Sequence, residues 1–338
     1  MGEVVLLSVA DAQTLVARAL QGVGLEAAAA ASTARALVAA EADGQKGHGL
    51  SRVSSYVEQI RSGKVLKDAA PSVRRLSGAA CLVDAGYGFA YPAIDLAISE
   101  IAALARQSVI ALAAIRRSHH FGQAGAHVER LAEAGLVAFL FGNSPKAMAF
   151  WGGAKPMMGT NPIAFAAPLP EGPPLVIDLA LSVAARGKVM AANKAGAAIP
   201  PDWALDAQGA PTTNAAEALK GTMAPLGGAK GAALALMIEI VAAALTASNF
   251  GFEASSFLDG EGPPPDVGCI FIAIDPSVVS NGAYLDRMAV LLAAMAGEKG
   301  VRLPGTSGRK NRALARENGL PVAPALYAEL MALAGATR

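Results

Sequence analysis

Cysteine is all but missing from these 338 residues: Cys81 and Cys269 stand far apart in apolar surroundings. They form neither a CxxC pair nor a disulfide framework, the pattern of a reducing compartment. A charge surplus is missing too. Lys and Arg number 28 against 27 Asp and Glu, with no basic stripe or acidic tail. That balance excludes the electrostatic footprint of a nucleic-acid or membrane-surface partner. No apolar run is long enough to span a bilayer, which takes about 20 residues. The longest, Gly231 to Ala247, contains Glu239 and follows Lys230, and reads as a buried core helix. The opening Met1-Gly2-Glu3-Val4 has neither the basic nor the apolar region of a secretory leader, so a cytoplasmic location is expected.

Familiar nucleotide and nucleophile signatures are also lacking. No GxxxxGK[ST] or GxSxG occurs. The nearest approach to a dinucleotide fingerprint, Gly22-Val23-Gly24 before Ala27, follows a helical pattern instead of a strand, which excludes an ordinary Rossmann turn. Histidine is limited to His48, His119, His120 and His127. Adjacent histidines on an extended segment point to opposite faces. With no HExxH and no cysteine partner, no metal site is expected.

What is present is 53% apolar residue in a composition rich in Ala and Gly, in a chain long enough for two lobes. Ser8 with Asp11 marks the start of a helix ending near Gly22. A second helix is expected from about 25 to 42 and a third over roughly 49–62, where Leu50, Val53, Val57 and Ile60 recur at helical spacing. Strands are read at 81–84, 109–115, 136–141, 163–166, 175–177 and 270–274. Helices are read at 91–106, 122–133 and 183–194, and at the C-terminal end, including 324–333. The segments 199–202 and 259–265 are loops by composition. Helices at both ends around a mixed sheet give an α/β or α+β arrangement in which the two termini build one lobe.

Several residues carry chemistry. On one continuous helix His48 and Arg52 would share a face at i and i+4, setting a proton donor beside a guanidinium fork suited to a carboxylate. An ordinary surface pair is the competing reading. Ser118-His119-His120-Phe121-Gly122-Gln123-Ala124-Gly125 follows a strand and opens a helix, a junction that turns backbone N–H groups toward an anion. Gly159-Thr160-Asn161-Pro162 is a turn whose polar side chains suit a ligand. Gly227-Gly228-Ala229-Lys230-Gly231 sets glycines, a helix start and a lysine together, as phosphate binding requires, although a loop with a solvated lysine has the same composition. Asp178 ends an apolar strand, where it either meets a site or caps the following helix.

Taken in order, these segments resemble the type-2 malate/L-lactate dehydrogenase family, also called sulfolactate dehydrogenase-like. The resemblance runs through His48-Gly49 with Arg52, Ser118 to Gly122, Gly159 to Pro162 and Val176 to Ser182. It continues through Arg186-Gly187-Lys188, Pro200 to Asp206, Leu226 to Gly231, Phe271 to Pro276 and Arg302 to Gly305, nearly the whole chain. It implies a non-Rossmann NAD(P)-binding domain with a mostly antiparallel sheet over residues 76–277, which also dimerises the protein. It further implies a helical domain built from residues 1–75 and 278–338. The implied activity is reduction of a small 2-oxo acid, or in one branch a cyclic 2-imino acid, by NADH or NADPH in an interlocked homodimer. Carried over residue by residue, His48 is the proton donor, as an imidazolium, and Arg52 holds the substrate carboxylate. His120 completes the catalytic set, and Thr160 contacts substrate. His120, Phe121, Gly122, Gln123 and Ala124 line the cofactor, with Asp178, Leu179, Ala180, Lys188, Ala229, Lys230, Gly305 and Arg309. Arg186, Lys188 and Arg309 are candidates for a 2′-phosphate, which favours NADP. Gly47 and Lys188 stand where the imine-reducing branch has a serine and an aspartate that steer the histidine. Lys188 resembles the oxo-acid branch, whereas Gly228 to Leu234 and Asn249 to Glu253 resemble the imine branch, so both substrates stay open.

Overall fold

In the computed structural model, which describes residues 4–335, the chain folds around one seven-stranded sheet. Met1 to Glu3, on which the leader reading partly rested, lie outside the described residues. The sheet strands are β1 (Ser72–Ser77), β2 (Ala80–Asp84), β3 (Ile110–Ser118), β4 (Val137–Gly142), β5 (Ile163–Ala167), β6 (Leu175–Leu179) and β7 (Val267–Ile274). Their spatial order is β1-β2-β3-β7-β4-β5-β6. Only β2 and β3 pair in parallel, joined through the helix Ala90–Ser108; every other neighbour is antiparallel. The expected mostly antiparallel, non-Rossmann sheet is what forms.

β7 explains why it sits near the middle. Val-Gly-Cys-Ile-Phe-Ile-Ala-Ile is apolar without alternation, as suits a strand covered on both faces, and Val267 to Phe271 are all buried. Phe271 pairs with Ala113 on one side and Leu140 on the other. The helices Ala90–Ser108 and Ala124–Glu133 close a core of Ile94, Ile101, Leu104, Val128 and Leu131 against the sheet. Cys81 and Cys269 are free thiols in this core. Burial pushes them up to about 11 and about 12, so both stay protonated.

A second core gathers the two ends of the chain. Val5–Leu7 pairs antiparallel with Leu320–Val322. Leu15, Leu20, Leu37 and Tyr56 pack with Leu320, Val322 and Leu330. Ser8 caps the helix Val9–Gln21 by accepting from the Asp11 N–H, as its spacing indicated. A third, smaller core forms around Met148, Met158, Leu181, Val189, Ala204, Met223 and Ile238.

Two sequence expectations change. The span 231–247 is not one buried helix: Ala229–Ile238 is α-helical, and Glu239–Ala244 widens into a π turn. Only its inner side is covered, leaving Leu234, Leu236, Met237, Ile240 and Leu245 exposed. Composition shows that a segment is apolar, not which side the fold covers. β1 was not read as a strand because Ser-Val-Arg-Arg-Leu-Ser is nearly all exposed at the sheet edge, so it carries no apolar alternation.

Replacing Phe271 with Ala empties the middle of the sheet core. Large-to-small changes of this kind cost about 3–5 kcal/mol, so the urea midpoint of Phe271→Ala is expected to fall far below wild type. A shift under about 1 kcal/mol would show that the strand does not anchor the sheet.

Candidate active site

His48 and Arg52 lie together, though not on one helix. Lys46–His48 is a single 3-10 turn, and Gly49 (φ −100°, ψ −140°) breaks the chain direction. A second turn, Leu50–Arg52, then leads into the helix Val53–Arg61. The buried carboxylate of Glu41 causes the break by accepting the Leu50 N–H at 3.0 Å. A Cβ on residue 49 would overlap Glu41 Oε2, so the His-Gly pair is a steric requirement. Arg52 Nε donates to the Gly47 carbonyl at 2.6 Å, while its Nη1 is buried without a partner. An orphaned guanidinium donor beside a histidine is what a substrate carboxylate would complete.

The junction after β3 delivers His119 and His120 in opposite senses. His119 Nε2 meets Gln59 Oε1 at 2.7 Å. His120 Nε2 lies 3.1 Å from His48 Nδ1, and its Nδ1 lies 2.7 Å from the Tyr56 hydroxyl. Tyr56 in turn meets Tyr91 at 3.0 Å. The Phe257 ring packs 5.2 Å from both His119 and His120. Phe257 stays there because the Gly/Pro loop after it is pinned by Lys64. The fully buried Lys64 Nζ donates to the carbonyls of Asp259 (3.0 Å) and Glu261 (2.7 Å). Sequence reading passed over Tyr56, Tyr91, Gln59 and Lys64, since aromatic and polar residues at helical spacing look like ordinary packing.

Burial and the Arg52 charge hold His48 down to about 4. His119 falls to about 3 and His127 to about 4, and His120 lies well below the ordinary imidazole value, all chiefly through burial. The expected imidazolium is therefore not the resting form of His48, which is neutral near pH 7. Burial raises Tyr56 to about 12, so its hydroxyl keeps its proton.

Next to this cluster lies a groove of about 750 Å³, lined by Gln123, Asp178, Gly305 and Arg309 of the sequence candidates together with Arg302, Lys310 and Arg312. Asp178 does not cap the helix after it. It accepts the Gly125 N–H at 2.7 Å and so occupies the start of the helix Ala124–Glu133. A side chain on Gly125 would press on Val176 and Asp178. Gln123 donates to Asp43, and its Oε1 is buried and unpartnered. Arg309 donates to the Pro174 carbonyl at 2.7 Å. Arg312, which sequence reading missed, bridges Asp43 and Glu129. Exposed Arg302 and Lys310 and the positive-φ turn at Gly305 suit a long anionic ligand, and the unpaired Gln123 Oε1 would accept a hydrogen bond from one of its N–H or O–H groups.

Other candidates stand elsewhere. Thr160 accepts the Leu181 N–H through its carbonyl. The Asn161 side chain is spent internally on Ser144, Ala235 and Glu239. Leu179 and Ala180 are exposed at the end of β6. Exposed Lys188 lies over the Trp203 ring, 5.7 Å from its centroid. Arg186 donates from Nη2 to the Leu219 carbonyl. Gly227 and Gly228, both at positive φ, turn the chain into the helix at Ala229, leaving Ala229 and Lys230 exposed at its start. Phe121 and Gly122 connect His120 to the helix that Ala124 opens, with Phe121 and Ala124 buried. Among the described residues no group of three or more His, Cys, Asp or Glu has the arrangement of a metal site. No helix there is long and apolar enough to cross a membrane.

Fold and site together define an α/β protein with a non-Rossmann sheet, a histidine pair at the edge of the core and a charged groove beside it. The model of the malate/L-lactate dehydrogenase family matches residues 7–331. The chain belongs to that family. It is 51% identical to a (2R)-3-sulfolactate dehydrogenase (NADP(+)) from Chromohalobacter salexigens, over 97% of this chain and 98% of that protein. A Delta(1)-pyrroline-2-carboxylate reductase from Ancylobacter novellus is 40% identical, with 98% of each chain covered. The crystal structure of delta1-piperideine-2-carboxylate reductase from Pseudomonas syringae superposes with a TM-score of 0.92 at 35% identity, covering 97% of this chain and 99% of that one.

The depressed histidines have a consequence for stability. Unfolding returns each to about 6.5, so between that value and the folded values the unfolded chain binds more protons. Stability is full above about pH 6.5 and is lost as pH falls toward the folded values of about 4 and about 3. Each histidine contributes on the order of 1 kcal/mol per pH unit inside that window. The melting temperature is expected to drop steeply from pH 7 to pH 5. A flat profile there would mean that the imidazoles are solvated.

Proposed function

We propose that this protein reduces the C2 carbonyl of a small 2-oxo acid of the malate, lactate or sulfolactate type to the 2-hydroxy acid, with NADPH as reductant. The observation that carries the reading is Arg52: its buried Nη1 has no partner and lies on the same turn system as His48. A substrate carboxylate paired there sets C2 beside the imidazole. The nicotinamide cofactor supplies the hydride. His48, neutral at rest, donates a hydrogen bond to the C2 oxygen as negative charge builds there, help worth roughly 10²–10³ in rate, and a proton from solvent completes the hydroxy acid. His120 to Ala124 form the cofactor wall. Gln123, Asp178, Gly305 and Arg309 extend it along the groove, and Thr160 faces the substrate. Leu179, Ala180, Lys188, Ala229 and Lys230, which lie outside that groove, are assigned cofactor contacts by the family resemblance.

NADP is favoured over NAD by the exposed Arg302 and Lys310 on one groove with Arg309, since a 2′-phosphate needs a cationic partner. The name of the 51% identical relative agrees with that choice. Reduction of a cyclic imine such as pyrroline- or piperideine-2-carboxylate is the second reading, favoured by the relatives of that name. Gly47 and Lys188 favour the oxo acid. NADPH and NADH oxidation against pyruvate, oxaloacetate, sulfopyruvate and both imines separates the two. Turnover is expected with NADPH and the open-chain acids, and turnover confined to the imines would reverse the assignment. Arg52→Lys, which loses the planar fork, is expected to raise KM for the oxo acid on the order of tenfold or more with NADPH affinity kept. An unchanged KM would remove Arg52 from substrate binding.

The protein is proposed to work in the cytoplasm as a homodimer. Its helical lobe would comprise 1–75 and 278–338, its cofactor lobe 76–277, with β1 at the junction. The helix Tyr284–Ala296 carries Leu285, Val290 and Leu291 and has no buried residue. Such contiguous apolar exposure marks a protein interface. Light scattering on the eluting protein is expected to give twice the 34.0 kDa chain mass; a monomer at micromolar concentration would refute the dimer.

A further inference from the structure

Four side chains form a single file of hydrogen bonds from the site into the core: His48, His120, Tyr56 and Tyr91. His120, Tyr56 and Tyr91 are buried, while His48 is half-buried. A neutral imidazole has one N–H and one lone pair at its two nitrogens, and a hydroxyl has one proton. The file must therefore donate in one direction throughout. In the outward order Tyr91 donates to Tyr56, Tyr56 to His120 Nδ1, and His120 Nε2–H to His48 Nδ1. The proton of His48 then sits on Nε2. The inward order reverses every bond, moves that proton to Nδ1 and leaves the Tyr91 O–H as the last donor.

The two orders differ at their ends. Among the described residues Tyr91 Oη meets no hydrogen-bond partner besides Tyr56. The inward order strands a buried O–H there, and orphaned buried donors are rarer and costlier than spare lone pairs. At the other end His48 Nε2 has no protein partner among the described residues and lies on the half-exposed side of the cluster. The outward order leaves only lone pairs unused in the core and turns the one free N–H toward the site.

We propose that Tyr56 and Tyr91 are positioning residues of this site, holding His120 and through it His48 in the tautomers that present His48 Nε2–H to the substrate. The role in catalysis rests on the reductase reading above; the donor order does not. The arrangement supplies the steering that Gly47 and Lys188 cannot. Gly47 has no side chain, and Lys188 lies over Trp203. It also agrees with the neutral state that burial imposes on His48 and His120. A second proton on His48 Nδ1 would face the His120 N–H at 3.1 Å.

The direct test is a long-range proton–nitrogen NMR correlation on the ¹⁵N-labelled full chain at pH 7 without ligand, the histidines assigned from single-site variants. His48 and His120 are both expected as the Nε2–H tautomer; either one protonated at Nδ1 overturns the proposal. Tyr56→Phe keeps the ring stacked on Phe89, 4.4 Å away, and removes the oxygen. Its kcat is expected to fall on the order of tenfold, a fraction of what one preorganised donor to the developing oxyanion contributes. KM for the oxo acid and NADPH affinity should stay within about twofold, the signature of an effect confined to the transition state. The His48 signals should shift toward a mixture of tautomers. Full kcat with unchanged histidine signals in Tyr56→Phe would refute the positioning role. If the wild-type protein turned over neither oxo acids nor imines, the reductase reading would fall while the spectrum still decided the donor order. If Tyr56→Phe failed to fold, the wild-type spectrum alone would carry the decision.

Discussion

The two ring nitrogens of His120 join the turn after the second helix and the third helix to the end of β3, beside the His119–Gln59 contact. Nε2 reaches His48 on the turn after the second helix, and Nδ1 reaches Tyr56 on the third helix, while the residue itself hangs from the end of β3. The bonds lie in a buried setting, where an unpaired polar group costs about 1–3 kcal/mol. Each partner therefore fixes the next. The turn that carries His48 is set independently by Glu41 below it, whose carboxylate leaves room only for glycine at 49. The histidine pair is thus held from two sides before any ligand arrives, the preorganisation that electrostatic catalysis requires.

Buried polar residues far from this pair perform the same service for its surroundings. Lys64 is fully buried and spends its ammonium on two loop carbonyls, which keeps Phe257 against the imidazoles. Glu239, on the π turn, accepts the Gly159 and Gly251 N–H groups and Asn161 Nδ2. It ties the Gly-Thr-Asn-Pro turn to the segment after the apolar helix. A charged group so buried is tolerated when its hydrogen bonds are satisfied. Loops that composition marks as flexible become walls of a site in this way.

The groove beside the pair follows a similar logic. Asp178 and the first turn of the helix after His120 neutralise each other, and Arg312 is balanced by Asp43 and Glu129. These charges shape the groove and do not attract a ligand. Attraction falls to Arg302 and Lys310, whose side chains are exposed. Arg309 is half-committed through the Pro174 carbonyl.

Much of this was legible in order along the chain. Capping at Ser8, the apolar run of β7, the glycines at 227 and 228 and the His-Gly and His-His pairs each impose a local constraint that residue type alone reveals. The ordered set of motifs was enough for the family and the non-Rossmann sheet, and it named His48, Arg52 and His120 as candidates. The tertiary structure alone decided which groups meet. Helical spacing put His48 and Arg52 on one face, but a carboxylate from another helix broke that helix. Asp178 serves a helix start more than 50 residues upstream. Tyr56 and Tyr91 reach His120 across 64 residues and across one another. Periodicity and motif record what a residue does to its own neighbours in the chain. Hydrogen bonds between distant segments, and the neutral state that burial gives His48, depend on contacts that exist only once the two ends of the chain have closed around the sheet.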